Sequence, residues 1–290
     1  MRARAQSRRI SVELGGLDRQ MEHRLLSNTG VRMPVIGMGT WRTFDVIYPE
    51  EIEQRRTIVD VALECGSNLF DTSPMYGNAE GVLSQALEGR RDQAIVATKV
   101  WTPDDHEAAE QIRRSFDYFD DRVEIYQVHN LVAWQKRLKA LEYWRDQGRI
   151  RSVGITHYQH SAFPEMMQIM RSGRVTCIQI PYNVEDRIVE RDVLPLAAEL
   201  DIGVLVMRPL GQGVLAAKSP PADALACLVP FGIKTWSQAL LKWVVSDTRV
   251  SAVVPATTSL QHARQNAGAG DPPWFGPDER AYVVRLSEQL

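Results

Sequence analysis

The feature of this sequence that most constrains its fold is a regular alternation of short β-rich runs with longer amphipathic segments, beginning at about residue 33. The short runs are rich in Val, Ile and Thr, which favour strands. In the longer segments, apolar residues recur with the period of an α-helix. The eight predicted strands are residues 35–40, 68–72, 94–100, 123–129, 150–156, 177–182, 203–207 and 250–255.

Predicted helices connect these strands, and Gly66 and Gly148 follow two of them at the position where helices commonly end. Eight strand–helix units in about 250 residues predict a (β/α)8 TIM barrel. A doubly wound open sheet is the alternative, because it is built from the same units. The clearest predicted helices are residues 50–65, 107–119, 135–147 and 235–245.

The two ends of the chain carry additional elements. Residues 22–34, with Asn28-Thr29-Gly30 at their centre, predict a small β-hairpin ahead of the barrel, and residues 278–290 predict an extra C-terminal helix. Residues 1–20 contain five arginines and no apolar run. We interpret them as a disordered basic tail or as a mis-assigned start ahead of Met21. Residues 21–290 are then expected to form a single barrel domain.

Composition excludes several classes of protein. Lys plus Arg number 34 and Asp plus Glu 36, so no basic excess indicates a nucleic-acid partner. The longest apolar runs, such as 94–98 and 203–207, fall far short of the roughly 20 residues that a membrane helix needs. Three cysteines without a CxxC spacing argue against a disulfide framework or a metal site. We therefore expect a cytoplasmic protein without metal, nucleic acid or membrane partners, as a monomer or small homo-oligomer.

Ionisable side chains follow three consecutive predicted strands. In a TIM barrel the active site lies at these carboxyl ends, which here carry Asp71, Lys99 and His129, with Tyr76 one short loop beyond Asp71. Each has a plain structural explanation: Asp71 as a turn cap, Tyr76 as a loop aromatic, His129 as a hydrogen-bonded core residue. Lys99 is harder to explain in this way, because a buried ammonium without a partner costs several kcal/mol. Asp71 on the adjacent strand is its expected counter-ion.

This combination of groups suits proton transfer to a carbonyl oxygen. A free phenol has a pKa of about 10, and a neighbouring ammonium lowers that value by stabilising the phenolate. Asp71 would hold Lys99 charged and in place, while His129 would orient the carbonyl or relay the proton. Such a site protonates oxygen while another agent delivers a hydride to carbon.

The same strand ends resemble those of the aldo-keto reductase superfamily over about residues 22 to 268. The motifs that carry the resemblance are Gly37-Met38-Gly39-Thr40-Trp41, Phe70-Asp71-Thr72 with Tyr76-Gly77, Ala97-Thr98-Lys99, Gln127-Val128-His129, Gly154-Ile155-Thr156, Pro209-Leu210-Gly211, and Pro255-Ala256-Thr257-Thr258 through Asn266.

The resemblance implies a barrel that binds NADPH, with NADH as the alternative, across its mouth and reduces aldehydes or ketones to alcohols. It implies that Tyr76 is the general acid and that Asp71, Lys99 and His129 complete a catalytic tetrad. Substrate would contact Trp41, Tyr76, Trp101 and His129. The residues that the resemblance places on the cofactor are Gly39, Thr40, Trp41, Asp71, Thr156, His157, Gln179, Met207, Arg208, Pro209, Leu210, Gly211, Gly213, Ala256, Thr257, Thr258, His262 and Asn266.

The sequence departs from the family pattern in the cofactor site. Met207 stands where many members have a tyrosine that stacks on nicotinamide, Arg208 where serine is usual, and His157 where asparagine is usual. Members selective for the 2′-phosphate often have a lysine and an arginine at two positions occupied here by Ala256 and His262. Arg208 or Arg264 could supply the missing charge.

Three functions remain open on the sequence. The first is the NAD(P)H-dependent carbonyl reductase, acting on small or medium carbonyl substrates in an open pocket. The second is a dinucleotide-binding redox sensor or regulatory protein of the same fold with little turnover, which the departures in the cofactor site favour. The third is a (β/α)8 lyase or isomerase that uses Lys99 as a Schiff-base nucleophile.

Overall fold

The computed structural model describes residues 20–290, and the predicted basic tail lies outside the described residues apart from Gln20. The strands are β1 His23–Leu25, β2 Arg32–Pro34, β3 Met38–Gly39, β4 Leu69–Asp71, β5 Ile95–Val100, β6 Val123–His129, β7 Ile150–Thr156, β8 Cys177–Pro181, β9 Gly203–Met207 and β10 Ala252–Val253. The α-helices are α1 Pro49–Glu64, α2 Ala79–Ala86, α3 Asp105–Tyr118, α4 Trp134–Asp146, α5 Phe163–Arg171, α6 Val193–Glu199, α7 Val214–Ala217, α8 Trp236–Val245, α9 Leu260–Ala267 and α10 Pro277–Glu288.

Strands β3 to β10 form one parallel sheet in sequential order. Its two edges meet through single bridges, Ile36 to Val253 and Gly39 to Ala256. A Cβ atom on Gly39 would lie 2.8 Å from the carbonyl oxygen of Val254, so glycine is required for this close approach. The sheet is thus a nearly closed barrel with helices between its strands, which confirms the (β/α)8 prediction over the doubly wound alternative.

The first and last barrel strands are shorter than predicted. Residues 35–40 and 250–255 reduce to the two-residue strands β3 and β10, because pairing between them is limited to the isolated bridges. Pro255 has no N–H to donate and contributes only its carbonyl, which accepts from Gly39 N at 3.0 Å. Closure of the barrel therefore depends on a few bonds at this seam.

The predicted hairpin covers the end of the barrel opposite the strand ends named above. Strands β1 and β2 pair antiparallel, with Gly30 at φ +75° in the turn. Leu26 and Met33 are fully buried among inward-facing strand residues, and Leu26 lies against Gly203, the first residue of β9. The amino-terminal end of the barrel is thereby filled with apolar side chains.

The helices pack around the sheet, and the predicted C-terminal helix is present as α10. Nine of the ten residues of α8 are buried, and Ser237 is half-buried. Within residues 20–290 no single helix is long and apolar enough to cross a membrane; Ala222–Phe231 and α8 reach that length and composition only as a pair bent by 43°. The assignment of 21–290 to one domain stays a prediction.

Candidate active site

A buried ion pair lies at the carboxyl ends of β4 and β5. Lys99 Nζ donates to Asp71 Oδ1 at 2.8 Å, to Asp71 Oδ2 at 3.0 Å and to the carbonyl of Thr72 at 2.8 Å. Burial acts to lower the pKa of Lys99, but the Asp71 carboxylate and contact with Tyr76 raise it above its usual value. All three protons of the ammonium are engaged, which argues against the neutral amine that a Schiff-base lyase needs.

The loop after β4 presents Tyr76 to the same region. Ser73 Oγ accepts from Met75 N at 3.2 Å and caps the short 3₁₀ turn Pro74–Tyr76. Asp45 Oδ1 then accepts from the backbone N–H of Asn78 at 2.9 Å. Gly77 lies between them at φ +63°, where a Cβ atom would approach the Asp45 carboxylate to 2.3 Å. The Tyr76-Gly77 motif thus reflects a turn that only glycine allows.

The phenol of Tyr76 lies beside both Lys99 and His129. Lys99 Nζ is 5.2 Å from the centre of the Tyr76 ring, and the rings of Tyr76 and His129 meet edge to face at 5.7 Å. Burial raises the pKa of Tyr76 above 10, and Lys99 offsets only part of that rise. The sequence-based expectation of a lowered pKa is therefore wrong in its net direction, because desolvation outweighs the ammonium. Tyr76 remains protonated near neutral pH and can donate its proton.

The tautomer of His129 follows from its contact with Ser73. Ser73 Oγ lies 2.9 Å from His129 Nδ1 and already accepts from Met75 N. Because Ser73 is fully buried, its own proton is donated to the acceptor within reach, Nδ1. Burial, with the positive charge of Lys99, lowers the pKa of His129 to about 2. His129 is therefore neutral with its proton on Nε2, as a donor.

These groups border a cavity of about 580 Å³ at the barrel mouth. Twelve residues predicted to contact cofactor or substrate line it: Gly39, Trp41, Asp71, Tyr76, His129, Gln179, Met207, Arg208, Pro209, Leu210, Gly213 and Ala256. Gln212 and Pro255, which belong to the two predicted cofactor loops, also line it, and the sequence analysis missed six others: Arg42, Thr43, Met75, Asn130, Tyr158 and Val254.

Other predicted residues lie behind or beside the cavity lining. Thr40 is buried, and its Oγ1 donates to the carbonyl of Asp71 at 3.0 Å, which fixes the end of β4. Trp101 is 40% exposed in the loop after β5 and does not line the cavity. The remaining predicted residues outside the lining are Lys99, Thr156, His157, Gly211, Thr257, Thr258, His262 and Asn266.

The loop after β9 holds Arg208 in an unusual backbone conformation. Arg208 has φ +55°, and its carbonyl accepts from Asn183 Nδ2 at 3.1 Å and from Gly211 N at 3.0 Å. Its guanidinium carbon lies 4.8 Å from the ring centre of Tyr158, which stacks in turn on His157. Such a left-handed residue is costly for a side chain other than glycine and is often found at functional sites.

Comparison with known proteins identifies the family. The model of the Aldo/keto reductase family matches residues 35–225. The chain belongs to the aldo-keto reductase family. It is 27% identical to the methylglyoxal reductase YeaE of Escherichia coli, over 85% of this chain and 89% of that protein. It is 26% identical to the NADH-specific methylglyoxal reductase of Escherichia coli, over 84% of this chain and 92% of that protein.

A solved structure agrees with this assignment. The crystal structure of an aldo/keto reductase from Klebsiella pneumoniae in complex with NADP and acetate superimposes with a TM-score of 0.76. The two chains are 26% identical in sequence, and the matched region covers 90% of this chain and 93% of the Klebsiella chain. The protein is thus an oxidoreductase with the aldo-keto reductase barrel.

The barrel mouth of this aldo-keto reductase has room and polar groups for a nicotinamide. Gln179 lines the cavity, and its Oε1 lies 3.5 Å from Gln127 Nε2. Thr156 Oγ1 is buried without a hydrogen-bond partner among the described residues. Gln179 therefore offers the amide of a ligand a hydrogen-bonding group at the lining, while the unpartnered hydroxyl of Thr156 lies outside the lining on the neighbouring strand.

The last loop of this aldo-keto reductase is a more open surface. Ser259 Oγ caps α9 by accepting from His262 N at 3.3 Å, and Ala256 and His262 are both exposed. Arg264, one of the two residues expected to supply charge to the cofactor, instead pairs with Glu64 on α1 at 3.1 Å. Of the two arginines, Arg208 is the one that lines the cavity at the mouth.

Proposed function

We propose that this protein is an NADPH-dependent reductase that converts aldehyde and ketone carbonyls to alcohols, with Tyr76 as the general acid. The observation that carries the proposal is the placement of three groups together: the protonated phenol of Tyr76 and the neutral His129 at the cavity lining, and the buried Lys99 ammonium beside Tyr76. Relatives named methylglyoxal reductases support this type of substrate.

The residues act on the carbonyl oxygen. The Nε2–H of His129 donates a hydrogen bond to that oxygen and orients it towards Tyr76. The hydroxyl of Tyr76 then transfers its proton to the oxygen as negative charge develops there. Lys99 stabilises the resulting phenolate, and Asp71 keeps Lys99 charged and fixed. Because burial raises its pKa, Tyr76 is protonated before the reaction and can act as the acid.

The bound nicotinamide dinucleotide supplies the hydride. Gln179, Thr156 and His157 would hold its carboxamide, and the glycine-containing loop from Pro209 to Gly213 would follow the pyrophosphate with its backbone N–H groups. One structural relative from Klebsiella pneumoniae is described in complex with NADP and another with NADPH, while one relative is named NADH-specific. Location in the cytoplasm and a monomeric or small oligomeric state stay predictions.

The test combines binding with turnover. We expect NADPH to bind in a fluorescence titration and an aromatic aldehyde to be reduced, with turnover followed by NADPH absorbance. Tyr76→Phe should lower kcat by roughly 10²- to 10⁴-fold, since it removes the acid, while NADPH affinity changes little. Tyr143→Phe, at an exposed tyrosine on α4, is the matched control and should retain full activity.

Two results would contradict the proposal. NADPH binding without turnover on any carbonyl would indicate the redox-sensor alternative. Near wild-type turnover by Tyr76→Phe would remove Tyr76 from the acid role.

A further inference from the structure

The cavity at the barrel mouth carries an excess of positive charge. Its lining includes two guanidinium groups, Arg42 and Arg208, and one carboxylate, Asp71. That carboxylate is buried and already paired with Lys99. Within residues 20–290 neither arginine has an ion pair with a carboxylate. The mouth therefore presents two uncompensated positive charges to whatever binds there.

Arg42 lies in the loop between β3 and α1, next to a residue predicted to contact substrate. Its guanidinium carbon is 4.2 Å from the ring centre of Trp41. Arg42 also has φ +61°, in the left-handed region that L-residues rarely adopt. Stacking on an indole leaves the N–H edge of a guanidinium free to bind an anion.

The two arginines belong to different parts of the mouth. Arg208 begins the loop that is expected to follow the cofactor pyrophosphate. Its guanidinium would therefore pair with a phosphate group when the cofactor binds. Arg42 precedes α1 at the seam of the barrel and has no such assignment. Its loop shares the cavity with Tyr76 and His129, where the carbonyl is expected to bind.

We propose that Arg42 is a specificity residue that binds an anionic group on the carbonyl substrate. This inference rests on the proposed reductase function and narrows its substrate class to aldehydes or ketones that carry a carboxylate or a phosphate ester. A guanidinium forms charge-assisted, bidentate hydrogen bonds with either group. The uncharged part of the substrate, between its anionic group and its carbonyl, would lie along the indole of Trp41.

The experiment compares matched anionic and neutral substrates. One pair is para-carboxybenzaldehyde and its methyl ester, and the other is the phosphate monoester of glyceraldehyde and glyceraldehyde itself. The wild-type protein should prefer the anionic member of at least one pair, and the pair that responds distinguishes carboxylate from phosphate. Arg42→Gln should lower kcat/KM for the anionic member by roughly tenfold or more, through KM, with little change for the neutral member.

Two control variants separate charge at the site from charge in general. Arg42→Lys retains the positive charge but lacks the paired N–H donors of a guanidinium. It should recover part of the preference for the anionic substrate. Arg151→Gln removes a positive charge at an exposed residue of β7 that does not line the cavity. It should leave the preference for the anionic substrate unchanged. Because the contact is partly exposed to solvent, the preference should also weaken as ionic strength rises.

The possible failures are distinguishable. If the wild-type protein reduces neutral aldehydes but shows no preference in either pair, the reductase stands and the role of Arg42 is wrong. If Arg42→Gln weakens NADPH binding in the fluorescence titration without altering the substrate preference, Arg42 binds the cofactor and the inference is overturned. If no carbonyl is reduced at all, the proposed function itself fails.

Discussion

The two halves of the barrel mouth are built in different ways. On one side, Asp71, Lys99 and His129 lie at the ends of three neighbouring strands, and each is buried and held by at least one hydrogen bond inside the protein. On the other side, the segments after β9 and β10 are loops, in which Ala256 is exposed and Arg208 is half-buried. The first half holds its groups in place without a ligand and leaves the Nε2–H of His129 for the substrate, whereas the second presents loop groups that the cofactor would engage.

This difference indicates where substitutions should matter most. When one member of a buried ion pair or hydrogen bond is removed, the protein loses that contact and the remaining partner is left buried without one. A substitution in an exposed loop removes or adds only a contact with the cofactor that solvent and salt partly screen. We therefore expect large effects on stability and turnover on the strand side and modest effects on cofactor preference on the loop side.

Lys99→Met should have the largest effect, because it leaves the Asp71 carboxylate buried without its partner. Loss of one member of a buried ion pair costs about 3–5 kcal/mol in the free energy of unfolding. Carbonyl reduction should fall as far as in Tyr76→Phe, since the phenolate loses its stabilising charge. Urea unfolding and steady-state turnover measure the two effects.

A double variant separates stability from catalysis in this prediction. Lys99→Met with Asp71→Asn removes both charges and should regain part of the lost stability but none of the activity. Lys136→Met, in an exposed pair with Asp105 on the outer helices, should leave both quantities nearly unchanged. Equal stability of Lys99→Met and wild type would show that the pair is not buried as described.

The pH dependence of stability should be next in size. His129 has a pKa of about 2 in the folded protein and about 6.5 when unfolded, so below about pH 6.5 the unfolded chain binds a proton that the folded protein does not. The free energy of unfolding should therefore fall as pH decreases below about 6.5, by at most about 1.4 kcal/mol per pH unit from this group.

Comparison with His129→Gln isolates this contribution from other titrating groups, including the nearby His157, Tyr76 and Lys99. Urea unfolding from about pH 7 to about pH 5 should show a steeper loss of stability for the wild type than for the variant. Parallel curves for the two proteins would mean that His129 titrates normally in the folded state.

Ser73→Ala should have a smaller effect that reveals how the tautomer of His129 is held. The variant loses the donor to Nδ1 and the cap of the turn that carries Tyr76, so kcat should fall by roughly tenfold, equivalent to about 1.4 kcal/mol. Nitrogen-15 NMR of the imidazole should show the Nε2–H form in the wild type and a mixture in the variant. Ser73→Thr keeps the hydroxyl and should retain the wild-type spectrum; an unaltered spectrum in Ser73→Ala would assign the tautomer to another contact.

The sequence predicts the strand half of the mouth better than the loop half, for physical reasons. Strand ends in a barrel converge by topology, so Asp71, Lys99 and His129 could be placed together from their positions alone. Ser73 was missed although it lies two residues after Asp71, because its contact is with a side chain 56 positions away. The ion pair of Arg264 with Glu64 could not be predicted for the same reason, because the two residues are 200 positions apart. The pKa of Tyr76 depends on burial, which spacing does not predict.

The smallest expected effect is on cofactor preference, and it tests the loop half directly. Ala256→Lys with His262→Arg introduces two cations at exposed positions, one ahead of α9 and one in its first turn, where added side chains meet little steric hindrance. If the adenine end of the cofactor lies along this loop, the pair should increase the ratio of NADPH to NADH affinity by about tenfold, because a 2′-phosphate gains charge-assisted hydrogen bonds. Fluorescence titration with both cofactors gives the ratio, and high salt should reduce the gain since the contacts are exposed. With aldehyde and cofactor both at saturating concentration, kcat should not change, because neither substitution alters a residue of the strand half. An unaltered affinity ratio would place the phosphate elsewhere, with Arg208 as the first residue to replace.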